Sequence, residues 1–562
     1  MSTPAPVRPV AGPAAAPAAG PAAAPAAEAP VQQQGRMTHR QILSALSGML
    51  LAMFVAILSS TVVSNALPTI ITDLRGSQSQ YTWVVTATLL ASTASTPIWG
   101  KLADLFSKKL LLQIAIVVFI VGSMLAGLSQ SVPTLIGWRA LQGLGLGGLT
   151  ALVQIAMAAM ISPRERGRYS GLLGGVFAIG TVAGPLIGGL LVDTSWLGWR
   201  WCFYVGVPFA AVALVLLQRT LHLPVVKRAV SIDYLGAAFL SAGVSALLIW
   251  VSLAGHQFDW ASPETVLFVG GGVLAIAAFV VTELRTAEPI VPLRLFRDRT
   301  TTLAIVASTV IGVALFGSTV FLGQYLQISR GYSPTAAGLL TLPMIGGLVV
   351  SSTVSGILIS RHGRWKAFLV VGSVLVAVGF GLLSTIDHTT DMLLLGGFLA
   401  VLGTGIGLTN QNLVLAVQNT VAASDLGAAS SAVAFFRSLG GTIGVSVLGA
   451  VLSARVGTLI QGGLADVPGA AASAGSGDVG LASLPDAPAP VQELIRASYG
   501  DATGRIFLVA AVLSLVTVVA IAFIREVALR TESGDERMQA DAGGSTAAVD
   551  AELAGTGTTS RA

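Results

Sequence analysis

ILSALSGMLLAMFVAILSSTVVSNA, residues 42–66, runs for 25 residues without a charged side chain. At 1.5 Å per residue such a run crosses the ~30 Å hydrocarbon layer of a bilayer, so it reads as a membrane-spanning helix. Its last third is polar without being ionisable: Ser59, Ser60, Thr61, Ser64 and Asn65 crowd together there. Hydroxyls and amides in lipid either bond back to their own helix carbonyls or face a wet cavity, and the sequence leaves both open.

Comparable runs recur along all 562 residues, of which 54% are hydrophobic and only 10% charged. That is too little charge to cover a soluble surface, and the short alternating segments of a membrane barrel are absent. The runs place spans near 42–66, 81–99, 110–128, 133–157, 169–191, 203–221, 235–253, 265–282, 301–323, 335–358, 367–385, 392–416, 427–452 and 505–525. The expected fold class is therefore an all-α membrane protein with fourteen transmembrane helices. An even number puts both tails on one side. Lys101, Lys108, Lys109, Arg164, Arg166, Arg168, Lys227, Arg228, Arg294, Arg297, Arg299, Arg361, Arg364 and Lys366 fall in loops on that side. The excess of Lys and Arg predicts cytoplasmic termini in a multi-pass protein of the cell membrane.

Ala and Pro dominate residues 1–40, which predicts a tail without a core of its own. Residues 454–503 read as a long outer loop, with VQELIRASYG (491–500) able to form a short surface helix. Residues 527–562 read as a disordered, acidic cytoplasmic tail.

Other functional classes find little support. Cys202 is the only cysteine, so a disulfide or multi-thiolate metal site is excluded within the chain. The histidines (39, 222, 256, 362, 388) are scattered at span ends and loops, and no paired-carboxylate motif is present. No enzyme, cofactor or metal is expected. The net charge of +5 lies in topological loops rather than in a clustered patch, so no nucleic-acid partner is expected.

An internal repeat organises the spans. GKLADLFSKK (100–109) is mirrored by GILISRHGRWK (356–366) at a shift of 256 residues, and the same shift carries GPLIGG (184–189) onto GGTIGV (440–445). Two six-helix halves are expected, 41–223 and 301–526, with spans seven and eight inserted between them at 224–300. Halves around a central site are the plan of alternating-access carriers.

GKLADLFSKK resembles the loop signature between the second and third helices of the major facilitator superfamily. RALQGLGLGG (139–148) is similar to the fourth-helix motif of its proton-coupled members, and GTVAGPLIGG (180–189) to the fifth-helix motif of its antiporters. WRWCFYVGVP (199–208) and the fourteen spans point to the fourteen-helix drug:proton antiporter family, the multidrug resistance exporters. The resemblance runs from about residue 40 to 530. It implies the major facilitator fold and secondary active export of amphipathic drug-like compounds or secondary metabolites, in exchange for protons. The expected partners are a small-molecule substrate, protons and the lipid bilayer, and the expected state is a monomer.

The residues carry expectations of their own. Gly100 lets a helix end approach its neighbour; beside it Lys101 and Asp104 sit in the basic loop. Asp104 can pair with Lys or Arg, or cap a helix N-terminus across the halves. The resemblance implies that this contact latches one conformation. Gly184 and Gly188 belong to a flat glycine face, and Pro185 leaves the Thr181 carbonyl without its helical donor, which favours a bend. Arg139, about six residues into the fourth span, is costly in lipid and reads either as functional or as snorkelling to the outer interface.

In the family the first helix reads Leu-Asp-x-Thr-Ile-Val-Asn before Ala-Leu-Pro; here Ser59 stands at the aspartate. No Asp or Glu lies near the centre of any span. That departure leaves room for a facilitator or importer without carboxylate-based coupling. Ser59, Ser60, Thr61 and Asn65 are expected to form a neutral cavity wall in one layer with Arg139. Gln142, Gln154, Phe316, Gln324 and Asn410 are further cavity candidates.

Overall fold

The computed structural model describes residues 39–75, 78–194, 197–221, 233–254, 258–286, 288–464, 488–534 and 536–538. The tail 1–38, Lys227, Arg228, His222, His256, the middle of the expected outer loop (465–487) and the end of the acidic tail (539–562) lie outside them, as do the side chains of Asn65 and Pro185.

Among the described residues the chain is helical, without a named strand. Fourteen helices are long enough to cross a membrane. They are α1 (His39–Asp73), α2 (Gln78–Leu105), α3 (Lys108–Gly127), α4 (Val132–Met160), α5 (Pro163–Asp193), α6 (Trp201–Thr220) and α7 (Tyr234–Leu253). The rest are α8 (Pro263–Arg285), α9 (Arg299–Gln324), α10 (Thr335–His362), α11 (Lys366–Leu383), α12 (Met392–Thr420), α13 (Leu426–Leu464) and α14 (Ala489–Ala522). Thirteen qualify as spans on hydropathy as well. The exception is α2, whose Thr86, Thr88, Thr93, Ser95 and Thr96 lower its mean hydropathy but are buried between helices. Small hydroxyls there let α2 pack tightly on α4.

Boundaries follow from caps. Side chains of Ser107, Ser162, Asp233, Ser262, Asp298 and Asp391 each accept a first-turn backbone N–H at the starts of α3, α5, α7, α8, α9 and α12. Gly363, at φ 73°, closes α10 in the left-handed region.

Packing repeats with the sequence. α1 lies on α5 and α6, α2 on α4, and α3 on α4; eight helices later, α9 lies on α13 and α14, α10 on α12, and α11 on α12. Details repeat too. A Cβ on Gly184 would meet Thr61 Oγ1 at 2.1 Å, and one on Gly440 would meet the Thr309 carbonyl oxygen at 2.2 Å. Thr61 and Thr309 each donate to the carbonyl four residues back, Ile57 and Ile305. Two seams join the halves, α2 on α13 and α5 on α10. The inserted pair, α7 and α8, lies beside the first seam, where Leu240, Val244, Leu248 and Phe279 share a core with Ala94 of α2 and Phe435 of α13. Val266, Leu267 and Leu274 of α8 point outward, as a lipid-facing surface requires.

Two expected boundaries move. Residues 454–464 and 489–503 continue α13 and α14 instead of forming a loop, and Val491 and Ile495 pack on Ile460 and Leu464. Residues 526–534, 536 and 537, expected in the solvated tail from 527 onward, fold back against the bundle. Trp365 is the reason: it is wholly buried, its backbone N–H donates to Glu526 Oε1 at 2.9 Å and its indole donates to the Val527 carbonyl at 2.8 Å.

Candidate transport pathway and gate

The basic end of the bundle holds the closest contacts between the halves. Asp104 ends the polar tip of α2, and its carboxylate accepts the backbone N–H groups of Gly427 and Ala428, each at 2.8 Å. These are first-turn donors of α13 that have no intrahelical partner, so a carboxylate from the other half caps the helix and meets its positive end. Burial raises the Asp104 carboxyl to about 7; the two N–H groups and Lys108 oppose the rise, and the charge of Asp425 adds to it. The approach depends on Gly100. A Cβ there would lie 1.9 Å from Ser431 Oγ and 2.8 Å from the Gly427 carbonyl oxygen. Lys101 is buried and pairs with Glu288, from the segment that leaves α8, at 2.6 Å.

The second seam is held differently. Arg164 donates from Nε to the Ser360 carbonyl at 3.5 Å. Arg166 reaches Gln418 of α12 and the carbonyls of Ile161 (2.9 Å) and Ala158 (3.3 Å). Gln418 passes the contact on to Ser430 Oγ at 2.7 Å. In the sequence Arg166 reads only as part of a basic loop, and no pattern marks Gln418. Nothing in their local pattern marks a pairing over 252 positions.

Above this seal Gln154 of α4 donates to Gln411 of α12 at 3.3 Å. Gln154, Met157, Arg166, Gln411, Val414, Leu415 and Gln418 enclose a void of about 10 Å³, room for one water. At the adjacent residue, Arg437 of α13 donates to Asn410 Oδ1 at 2.9 Å. Gln154 and Asn410 thus meet partners in the middle of the molecule.

Arg139 does not snorkel: it is 3% exposed. Its Nη1 donates to Gln142 Oε1 at 2.6 Å, and Gln142 Nε2 donates to Ser123 Oγ of α3 at 2.6 Å. Its Nε is buried without a partner. A guanidinium held by one neutral amide keeps an unmet demand for an acceptor.

The polar residues at the end of α1 make different contacts from one another. Ser59 is buried with its hydroxyl unpartnered, 2.6 Å from where a Cβ on Gly206 of α6 would stand. Thr61 Oγ1 sits within hydrogen-bond distance of its own helix carbonyls and of the Gly180 carbonyl of α5, at 3.1 Å. Ser64 donates back to Ser60. No hydrogen bond joins Ser59 to Arg139. Phe316 lies against Gly441 of α13, Gln324 is exposed at the end of α9, and Gly188 is buried in α5. α5 runs unbroken through Pro185, and Thr181 donates to the Phe177 carbonyl.

Comparison with known proteins agrees with this architecture. Residues 49–445 match the family model described as Major Facilitator Superfamily. An uncharacterized MFS-type transporter of Mycobacterium tuberculosis (strain ATCC 25618 / H37Rv) is 39% identical over 489 residues, 86% of this chain and 69% of the relative. The multidrug transporter protein MdtP of Bacillus subtilis (strain 168) is 33% identical over 430 residues, 76% and 78% of the two chains. The efflux pump dotC of Dothistroma septosporum is 34% identical over 469 residues, 82% and 79%. The solved proton:xylose symporter XylE shares the fold with a TM-score of 0.57 at 14% identity, over 89% of this chain and 99% of that one. With the match covering most of the sequence and the packing repeating between halves, the chain belongs to the major facilitator superfamily and is a multi-pass membrane transporter.

Proposed function

We propose that the protein exports amphipathic, drug-like compounds or secondary metabolites from the cytoplasm, in exchange for protons, by alternating access. The moving bodies are residues 41–223 and 301–526, and the basic end faces the cytoplasm of the cell whose plasma membrane holds it as a monomer. The observation that carries the reading is the seal at that end: Asp104 on α13, Arg166 on Gln418 and Gln154 on Gln411 all join one half to the other. Bonds between bodies that must separate are the expected parts of a gate. The names of the relatives, a multidrug transporter and efflux pumps, support the export direction. Arg139, Gln142, Arg437 and Asn410 supply the few polar groups an otherwise apolar pathway needs to orient a cargo.

A facilitator without carboxylate coupling is the second reading, favoured by Ser59 at the position of the family's aspartate. Inside-out vesicles holding the protein separate the two. Antiport predicts uphill uptake of a fluorescent lipophilic cation when the vesicle interior is made acidic, and loss of that uptake with a protonophore. Uptake that only follows the dye's own gradient overturns antiport. A growth-inhibition panel with and without the protein identifies the compounds carried.

A further inference from the structure

The inserted helices α7 and α8 lie outside both halves, yet the chain leaving them returns to the gate. Glu283, buried near the end of α8, accepts the backbone N–H groups of Ile290 and Val291 at 3.0 and 3.3 Å and so turns the segment back toward α2. Glu288 then meets Lys101 of the first half at 2.6 Å. Further along, Arg294 donates to Asp425 of the second half at 2.9 Å. Asp425 is largely buried, with its side chain 12% exposed, and lies just before the α13 first turn that Asp104 caps. One short segment therefore touches the two bodies on either side of a single seam.

The charges explain why. Two carboxylates, Asp104 and Asp425, converge on one helix N-terminus, and unshielded they repel each other. Arg294 is the cation set against the second of them; the hydrogen bond and charge of Asp425 hold its proton more tightly than usual. Lys108 acts on Asp104 from the start of α3, and Asp233, at the start of α7, faces Glu283. We infer that residues 288–298 form a clasp on the gate, in which Arg294 neutralises Asp425 so that the Asp104 carboxylate can hold α13, while Glu288 holds Lys101 beside it. Arg294 and Glu288 are positioning residues, and the inserted pair is a working part of the gate. This rests on the alternating-access reading, and the test separates the two.

The reporter is Met157→Cys in full-length protein carrying Cys202→Ala. Met157 is 2% exposed and lines the sealed void between the halves, so it reacts only when the basic end opens. A membrane-impermeant maleimide is added to inside-out vesicles and the labelling rate is measured. Arg294→Gln is expected to raise the rate about two- to fivefold, the range for loss of one partly exposed pair. Arg294→Lys, which keeps the charge and serves as the folding control, is expected to label at the parent rate. Adding Asp425→Asn to Arg294→Gln removes the repulsion and is expected to return the rate to the parent value. A merely loosened fold would not be rescued by a second change. If Asp104→Asn speeds labelling but Arg294→Gln does not, or if Asp425→Asn fails to rescue, the clasp is overturned while gating stands. If neither variant changes the rate, the gating reading falls and the clasp with it.

Discussion

Arg139 shows what a single side chain can reveal. A guanidinium buried at 3% exposure beside Gln142 and Ser123 is expensive, and among the described residues no ion pair relieves it. Replacing it with an apolar group of similar length removes that cost, so Arg139→Met is expected to keep or raise the melting temperature in detergent while export is lost. A sharply lowered Tm with residual export would instead make Arg139 structural. Gly100 gives the opposite case. Its missing side chain is a condition of the gate's closed form, since a Cβ would enter Ser431 and the Gly427 carbonyl. Gly100→Ala is expected to cost the closed form about 1–3 kcal/mol, as overpacking does. A lower Tm, partly restored by Ser431→Gly, checks it. At this scale the sequence was legible where a residue is anomalous for lipid, as Arg139 is. It was illegible where ordinary hydroxyls share a helix: Thr61 and Ser59 look alike in sequence, yet one bridges α1 to α5 and the other is unpartnered against α6.

Helices were the most readable level, because each apolar run must match the thickness of the bilayer and has almost no alternative structure. Even α2, rich in hydroxyls, stands out as an uncharged run at 81–99. The seams were less readable, because their partners stand 196 to 324 positions apart and no local period marks them. The repeat does show how the seams differ. The 256-residue shift carries Asp104 onto Ser360, so the carboxylate that caps α13 has a neutral counterpart facing α5. Ser360 Oγ is buried and unpartnered, while its carbonyl accepts from Arg164. One seam is thus held by a charge at a helix end and the other by backbone and amide contacts. Ser360→Asp would supply the missing charge opposite Arg164 and the start of α5. It is expected to stabilise the closed form by about 0.5–1 kcal/mol, raising Tm and slowing turnover in vesicles. Faster turnover would contradict a symmetric gate.

The molecule as a whole is tied together by its C-terminal end. Glu526 accepts from the backbone N–H groups of Trp365 and Lys366 at 2.9 and 3.1 Å, Asn419 brackets the Ala528 carbonyl and the Arg530 N–H, and Arg537 donates to the Val421 carbonyl. All of these belong to the second half. The strap also reaches the first half: the Arg164 N–H of α5 donates to the Arg530 carbonyl at 3.3 Å. Composition could not show this, because the acidic residues of the segment suggest solvent while its value lies in backbone groups that every sequence has. A strap anchored on one half and touching the other moves with the first when the halves part, and the Arg164 contact has to break. Truncation after Arg525 therefore has two separable effects. It removes the caps on Trp365 and the indole's acceptor, at a cost of about 1–3 kcal/mol for buried donors left unmet, so Tm falls. It also removes one bond across the seam, so a cysteine at position 157 is expected to label faster from the basic end. Truncation after Met538 keeps every one of these bonds and is expected to match the parent in both measurements. If the shorter truncation lowered Tm yet left labelling unchanged, the strap would be a brace for the second half alone, and opening at the basic end would be governed by the two seams without it.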